Sequence, residues 1–225
     1  MPKKINKKII LLFGPTASGK SKIAEDIAKI YNAEIINADS MQIYKEVKIL
    51  SARPEKKNIK HHLYGFVSIN KTFSTGTWYK LATKKIKQIN KKGKIAIVVG
   101  GTGLYFKALT DGFSQIPTIP EKYKKLKIDK NFVLNNPKIF KGISLNDKQR
   151  VQRAFLVYKF TKKPLSSWQK RNKKEFKKSE FVKIFLCPPK TEIEKRIRKR
   201  FLDMLKNGAI KETENFKKKR VNSLK

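Results

Sequence analysis

Two patterns alternate along this chain: short uninterrupted apolar runs, and longer stretches whose apolar residues recur at helical spacing. Ile9, Ile10, Leu11, Leu12 and Phe13 form one such run, and Ile95, Ala96, Ile97, Val98 and Val99 another. Continuous apolar runs of this length mark strands buried on both faces, as in parallel sheets. They predict strands over residues 8–13 and 94–99, with further short strands over 34–38 and 181–186. Between them, Ile23, Ala24, Ile27 and Ala28 share one face of a helix expected over 20–31. Ser74 is placed to cap a helix over 75–90, which Gly93 ends. A short helix should follow the glycines at 100–103. Asn146 or Asp147 opens a helix to about residue 160, with Val151, Phe155 and Tyr158 at core spacing. Thr191 and Glu194 have the spacing of a capping box for a long helix to 207, closed by Gly208. Strand–helix alternation predicts an α/β fold with a parallel sheet flanked by helices. Residues 113–145, with Pro117, Pro120, Pro137 and many lysines, break the alternation and are assigned to a small, mostly helical insertion. The core is then formed by residues 1–112 and completed by 146–225.

Composition narrows the classes. A chain of 225 residues with 39% hydrophobic and 32% charged residues can bury a sizeable core. No apolar run approaches the ~18 residues of a membrane span. The stretch over residues 1–13 is basic and then apolar, but its apolar part leads into a glycine loop without a small-residue cleavage site. The single cysteine, Cys187, forms no internal disulfide, and a reducing, cytoplasmic setting is the default. Before a proline pair, it is expected to be a buried, inert thiol. The formal net charge is +38, which attracts polyanions. A lysine-, asparagine- and isoleucine-rich skew also follows from an AT-rich genome, so charge alone names no partner. The arginines are more telling, since guanidinium groups suit bidentate phosphate contacts. Arg150, Arg153, Arg171, Arg196, Arg198, Arg200 and Arg220 all lie in the second half.

The sharpest signal is Gly14, Pro15, Thr16, Ala17, Ser18, Gly19, Lys20, Ser21, which satisfies G-x-x-x-x-G-K-[ST] between a strand and an amphipathic helix. Such a P-loop turns its backbone N–H groups inward at a helix N-terminus and binds polyphosphate. Lys20 adds a point charge, and Ser21 offers a hydroxyl to Mg²⁺, which prefers hard oxygen ligands. A kinase or ATP-binding NTPase would usually place an aspartate at the end of another strand. The run ending at Val99 leads instead into Gly100, Gly101, Thr102 and Gly103. Asp39, ending the second strand, is the carboxylate placed to work beside the loop. Ligands sit at the carboxyl ends of parallel strands, so Asp39 and Thr102 should face the same crevice. His61 and His62 point apart on an extended segment and lack further metal-ligating neighbours, which favours hydrogen-bonding roles. Trp78 and Trp168 read as core rather than stacking platforms.

With these residues in view, the chain resembles the tRNA dimethylallyltransferases, also called isopentenyltransferases. The resemblance rests on the phosphate loop and NADSMQIY at 37–44, followed in order by SARP at 51–54, HHL at 61–63 and VGGTGLY at 99–105. DKQRVQRA at 147–154, KPLS at 163–166 with Trp168, and RFLDMLKNG at 200–208 continue it. It implies a P-loop NTPase-like fold whose loop, residues Gly14 to Ser21, holds the diphosphate of dimethylallyl diphosphate, with Mg²⁺ on Ser21. The dimethylallyl group would pass to N6 of the adenosine 3′ of a tRNA anticodon. In that scheme Asp39 accepts or orients the amine proton, Arg200 converges on the diphosphate, Thr16 and Ser18 contact it, and Thr102 lines the channel. Ser40, Met41 and Gln42 would hold the base beside Asp39. Gln149, Arg150, Val151, Gln152 and Arg153 would grip the anticodon stem-loop. The resemblance also implies a monomer. It further implies that family members carry a longer insertion between 112 and 147 and continue past the position of Lys225, so this chain reads as C-terminally shortened. Two other readings stay open on the residues alone: a P-loop nucleotide or small-molecule kinase, and a catalytically impaired tRNA-binding remnant.

Overall fold

A computed structural model describes residues 8–55, 59–114, 116–170, 172 and 174–217. Arg171 and Arg220, and the basic end of the chain after Lys217, lie outside the described residues. In chain order the elements are β1 (Ile9–Phe13), α1 (Lys20–Ile30), β2 (Glu34–Asn37), β3 (His61–His62), α2 (Thr75–Lys91), β4 (Ala96–Gly100) and α3 (Gly103–Asp111). Then come α4 (Glu121–Lys124), α5 (Lys130–Asn135), α6 (Lys148–Thr161), α7 (Leu165–Gln169), β5 (Phe181–Phe185), α8 (Lys190–Lys206) and α9 (Ala209–Lys217). The chain divides into two compact units, one of residues up to Thr110 and from Glu175 onward, the other Asp111–Lys174. The second unit is wider than the 113–145 insertion read from composition, because it also takes in α6 and α7.

In the first unit the strands form one five-stranded sheet in the order β3-β2-β4-β1-β5. Every pairing is parallel, with Ile10 opposite Ile97 and Val182, and Ile36 opposite Val98. Ile10, Leu12, Ile35, Ile97 and Val99 pack with Ala24 and Ala28 of α1. Residues of the other parity, Ile9, Leu11, Ile36 and Val98, are buried as well. Burial on both faces explains why these strands read as continuous apolar runs. Helix α2 packs on β2 and β4 and buries Trp78, Ala82, Ile86 and Ile89. Trp78 is fully buried, donates Nε1–H to the Asn37 carbonyl (2.8 Å) and stacks on Tyr105, with ring centroids 4.2 Å apart. The expected cap is present: Ser74 Oγ accepts the Thr77 N–H at 3.1 Å.

His61 and His62 form β3, a strand of two residues that periodicity alone could not register. His62 Nε2 bonds the buried Glu34 carboxylate at 2.7 Å, and Lys94 Nζ lies 3.5 Å from the same group. Burial by itself would raise the Glu34 pKa, but His62 and the neighbouring lysines leave it lowered. Burial lowers the His62 pKa despite the carboxylate. The two directions agree on one state, a neutral imidazole donating to an ionised carboxylate.

Two local expectations are corrected. Helix α8 starts at Lys190 with Pro189 in the cap position and no side-chain cap, so Thr191 lies inside the first turn. A proline loses nothing there, since the first N–H groups of a helix have no intrahelical partner. Cys187 is exposed, not buried. It follows β5, an edge strand whose Lys183 and Phe185 are also exposed. Position 187 continues the parity of that open face.

The second unit has its own core of Ile139, Phe140, Val151, Ala154 and Phe155. Asp147 caps α6, accepting the Arg150 N–H at 3.0 Å.

Gly100 sets the spacing between β4 and the end of β2. A Cβ built there would lie 2.2 Å from the Ala38 carbonyl carbon and oxygen, so no side chain fits without moving backbone. Gly100→Ala should destabilise the protein by ~1–3 kcal/mol through overpacking, read as a lower denaturant midpoint. An unchanged midpoint would contradict this close approach.

Candidate functional site

The loop between β1 and α1 closes over the carboxyl end of the sheet. Gly14 runs against the backbone after β5, where an added Cβ would lie 2.5 Å from the Leu186 carbonyl oxygen. Gly19 takes the N-cap position of α1 at φ 87°, a left-handed conformation that glycine adopts without strain. The loop residues Thr16, Ala17, Ser18, Gly19, Lys20 and Ser21 line a cleft of about 410 Å³. Asp39, Gln42, Ala52 and Tyr64 line the same cleft, with Arg196 and Arg200 from α8; Arg196 lies beside Gly19 of the loop. Lys20, Lys22, Arg196 and Arg200 face a single carboxylate, Asp39, among these lining residues. A cleft of this polarity is built for an anion.

Two details of the loop suit oxygens from outside the chain. The buried Ser18 hydroxyl has no hydrogen-bond partner. Lys20 Nζ bonds the loop's own Pro15 carbonyl at 2.8 Å. A phosphate oxygen bound in the loop would give the Ser18 hydroxyl its partner. Burial pushes the Lys20 pKa down, Asp39 pulls it back up, and Arg200 adds to the lowering. Burial also lowers the Arg200 pKa, again opposed by Asp39. An anion bound between these cations relieves both effects.

Asp39 is set by a tight turn after β2. Its N–H donates to Asn37 Oδ1 at 2.8 Å, and its carbonyl accepts Asn37 Nδ2–H at 2.9 Å. Its Oδ1 accepts the Met41 N–H at 2.9 Å, and the residue lines the cleft. Thr102 ties the loop after β4 to this turn. Its Oγ1 accepts the Ser40 N–H at 3.0 Å, and its own N–H donates to the Ala38 carbonyl at 3.1 Å. Gln42 Nε2 reaches the carbonyls of Ser51 (3.0 Å) and Ala52 (3.2 Å), fixing the loop that forms one wall. Tyr64 and Tyr105 stay protonated. Burial raises the Tyr64 pKa, helped by the charges of Asp39 and Glu25. Burial, Tyr44 and Asp39 push Tyr105 up to about 12.

The structure therefore gathers Thr16, Ala17, Ser18, Gly19, Lys20, Ser21, Asp39, Gln42 and Arg200 around one cleft. Gly14, Pro15, Ser40, Met41 and Thr102 support it from behind or beside it. Gln149, Arg150, Val151, Gln152 and Arg153 belong to the other unit. There Gln149, Arg150 and Arg153 are exposed, and Arg150 Nε pairs with Asp147 at 3.1 Å. Val151 is a correction: its side chain is core, only 6% exposed, so it presents no surface to a partner. Gln152 Nε2 is turned onto the Leu126 carbonyl at 2.6 Å.

Sequence reasoning counted Arg196 among the telling arginines without placing it at the site, and missed Tyr64. Arg196 lies four residues before Arg200, hence on the same helix face, and that spacing was a usable signal. Tyr64 gave none beyond following His61-His62-Leu63.

An all-protein metal cage is absent among the described residues: no group of three His, Cys, Asp or Glu side chains is placed to hold an ion. A single hydroxyl from Ser21, with ligand phosphate oxygens and waters, is the donor set Mg²⁺ accepts. No described helix is long and apolar enough to cross a membrane.

Lys20→Met should weaken inorganic pyrophosphate binding roughly 10- to 100-fold, as expected for a lost charge-assisted hydrogen bond. Thermal unfolding should barely change, since the ammonium holds only the Pro15 carbonyl. Calorimetry showing undiminished binding would rule out the loop as the anion cradle.

Comparison with known proteins agrees with this geometry. The IPP transferase family model matches residues 42–225. A tRNA dimethylallyltransferase of Pelagibacter ubique is 46% identical over 228 residues, covering 95% of this chain and 73% of the relative. A crystallographic structure of a eukaryotic dimethylallyltransferase acting on tRNA superposes with TM-score 0.77 at 28% identity, over 95% of this chain and 56% of that one. A tRNA isopentenylpyrophosphate transferase from Staphylococcus epidermidis gives TM-score 0.63 at 32% identity, over 96% and 75% of the two chains. With its all-parallel, P-loop NTPase-like sheet, the chain belongs to the IPP transferase family.

Proposed function

We propose that this protein transfers the dimethylallyl group of dimethylallyl diphosphate to the exocyclic N6 of the adenosine 3′ of a tRNA anticodon, releasing pyrophosphate. The observation that carries the reading is one cleft lined by both a phosphate loop and a carboxylate, Asp39. The names of the relatives supply the substrate class. In the reaction the N6 lone pair forms a bond to the allylic carbon. The carbon–oxygen bond to the diphosphate breaks, and its electron pair leaves with pyrophosphate. The amine proton passes to Asp39.

Each residue has a distinct task. An adenine amine is a poor nucleophile, and Asp39 orients it and takes its proton. The larger contribution is to the charge that collects on the departing diphosphate. Lys20, the loop amides and Arg200 face that charge, in a site where fixed donors act more strongly than water does. Mg²⁺, held by Ser21 and phosphate oxygens, would neutralise part of the same charge. Thr16 and Ser18 contact the diphosphate, and the orphaned Ser18 hydroxyl gains its partner there. Ser40, Met41 and Gln42, next to Asp39, hold the base, while Thr102 keeps their turn in place. Because the adenosine is stacked in its loop, it must swing out to reach the cleft, which costs about a few kcal/mol and least for an unpaired base. Phosphate contacts from the basic surface, including Arg150, Arg153 and Gln149, offset this and make binding salt-sensitive. A kinase is disfavoured, because β4 ends at Gly100 and leads into Gly101 and Thr102 rather than a magnesium-holding aspartate.

The test is transfer of labelled dimethylallyl diphosphate to unmodified tRNA with Mg²⁺. The unaltered protein should label N6 of the adenosine 3′ of the anticodon. Asp39→Asn keeps the acceptor for the Met41 N–H, so its turn should survive while transfer falls ~10²–10⁴-fold. Diphosphate binding should be nearly unchanged. No label from folded protein, together with tighter binding of ATP than of the prenyl donor, would replace this reading with a kinase.

A further inference from the structure

We infer that Glu212, on α9, is a positioning residue that clamps the wall of the cleft and thereby sets Arg200; the inference rests on the function proposed above. The Glu212 carboxylate spans more than 160 positions of sequence to reach one turn. Oε1 accepts the N–H groups of Lys48 (2.8 Å) and Ile49 (2.9 Å), and Oε2 accepts that of Leu50 (2.8 Å). Three successive N–H groups turned to one point form a concave anion site, and here the chain's own carboxylate fills it.

The turn matters because it leads directly into the cleft wall. Ser51 is buried, and its carbonyl accepts Nη2–H of Arg200 at 3.4 Å and Nε2–H of Gln42 at 3.0 Å. Ala52, next along, lines the cleft in a left-handed conformation, φ 46°. The Ala52 N–H returns to the Ile49 carbonyl (2.8 Å) and the Arg53 N–H to the Lys48 carbonyl (3.0 Å), so the clamped turn and the cleft wall are one hydrogen-bonded piece. Helices α8 and α9 therefore grip this piece twice, through Arg200 at Ser51 and through Glu212 at residues 48–50. Arg200 must hold its guanidinium toward the cleft against the cost of burial. A Ser51 carbonyl fixed from the far side by Glu212 gives it a stationary acceptor. Releasing Glu212 loosens three N–H groups, the carbonyl that orients Arg200, and the Ala52 wall together. The carboxylate reaches the cleft wall through this turn, so it acts on the reaction through Arg200.

Glu212→Gln tests the clamp with the side-chain shape kept, one acceptor oxygen lost and the charge removed. Amide exchange at residues 48–50 should speed up roughly 10- to 100-fold, as for lost hydrogen bonds to a charged group. Thermal unfolding should stay cooperative. In the transfer assay kcat should fall about tenfold while KM for dimethylallyl diphosphate moves less than about threefold. The decisive arm is coupling: in an Arg200→Lys background the Glu212→Gln penalty should shrink to about twofold or less, because the two act in one chain of contacts. If Glu212→Gln fails to fold, Glu212→Asp, which keeps the charge but is shorter by a methylene, should show a smaller loss of the same kind. Unchanged exchange at 48–50, or a full penalty persisting in the Arg200→Lys background, would overturn the inference. Failure of the unaltered protein to transfer label would instead strike the proposed function, since the exchange experiment reads the clamp without any turnover.

Discussion

The contact between Gly100 and the Ala38 backbone is the constraint on which the site depends. It brings the end of β4 against the end of β2 at a distance no side chain permits. The Thr102 loop can then hold the Ser40 N–H, and the turn that carries Asp39 is fixed across from the phosphate loop. The phosphate loop has its own close approach, Gly14 against the Leu186 carbonyl. Two strand ends and one loop, each packed backbone to backbone, thus define the width of the cleft before any ligand enters. Preorganisation of this kind lets fixed donors stabilise developing charge without rearrangement during the reaction.

The electrostatics follow from that geometry. A chain of net charge +38 draws polyanions to its whole surface, but the surface does not distinguish an RNA from any other. Discrimination belongs to the cleft, where four cations meet one carboxylate among the lining residues. Lys20 and Arg200 both have depressed pKa values from burial, and both are partly rescued by Asp39. The arrangement is therefore short of negative charge, which the diphosphate of the proposed donor would supply. A sheet whose β4 leads into glycine and threonine, where a kinase would hold metal, fits the prenyl transfer proposed above.

Legibility in the sequence tracked the range of the interaction. Strands buried on both faces announced themselves as apolar runs, and β1, β2, β4 and β5 lie where those runs predicted, within a residue or two at each end. Caps are local, so Ser74 and Asp147 were readable from their neighbours. The phosphate loop is a contiguous motif and was readable in full. What failed was information held by the tertiary arrangement. Two-residue β3 exists only because β2 offers it an edge. Cys187 is exposed because it continues the open face of β5 marked by Lys183 and Phe185. Val151 is core, as its helical spacing indicated, whereas the motif that carries the resemblance counts it with its polar neighbours Arg150 and Gln152. Glu212 acts on backbone N–H groups far away in sequence, and backbone groups leave no trace in residue identity. Resemblance to a family named the chemistry; it could not show which side chains hold the others in place.

The most direct test of the central claim is a crystal structure of the protein soaked with Mg²⁺ and an unreactive thio analogue of dimethylallyl diphosphate. The account predicts the diphosphate within the loop of residues 14–21, bonded to Ser18 and Lys20, with the allylic carbon directed toward Asp39 across the cleft. A diphosphate seated elsewhere, or an allyl group directed away from Asp39, would contradict it.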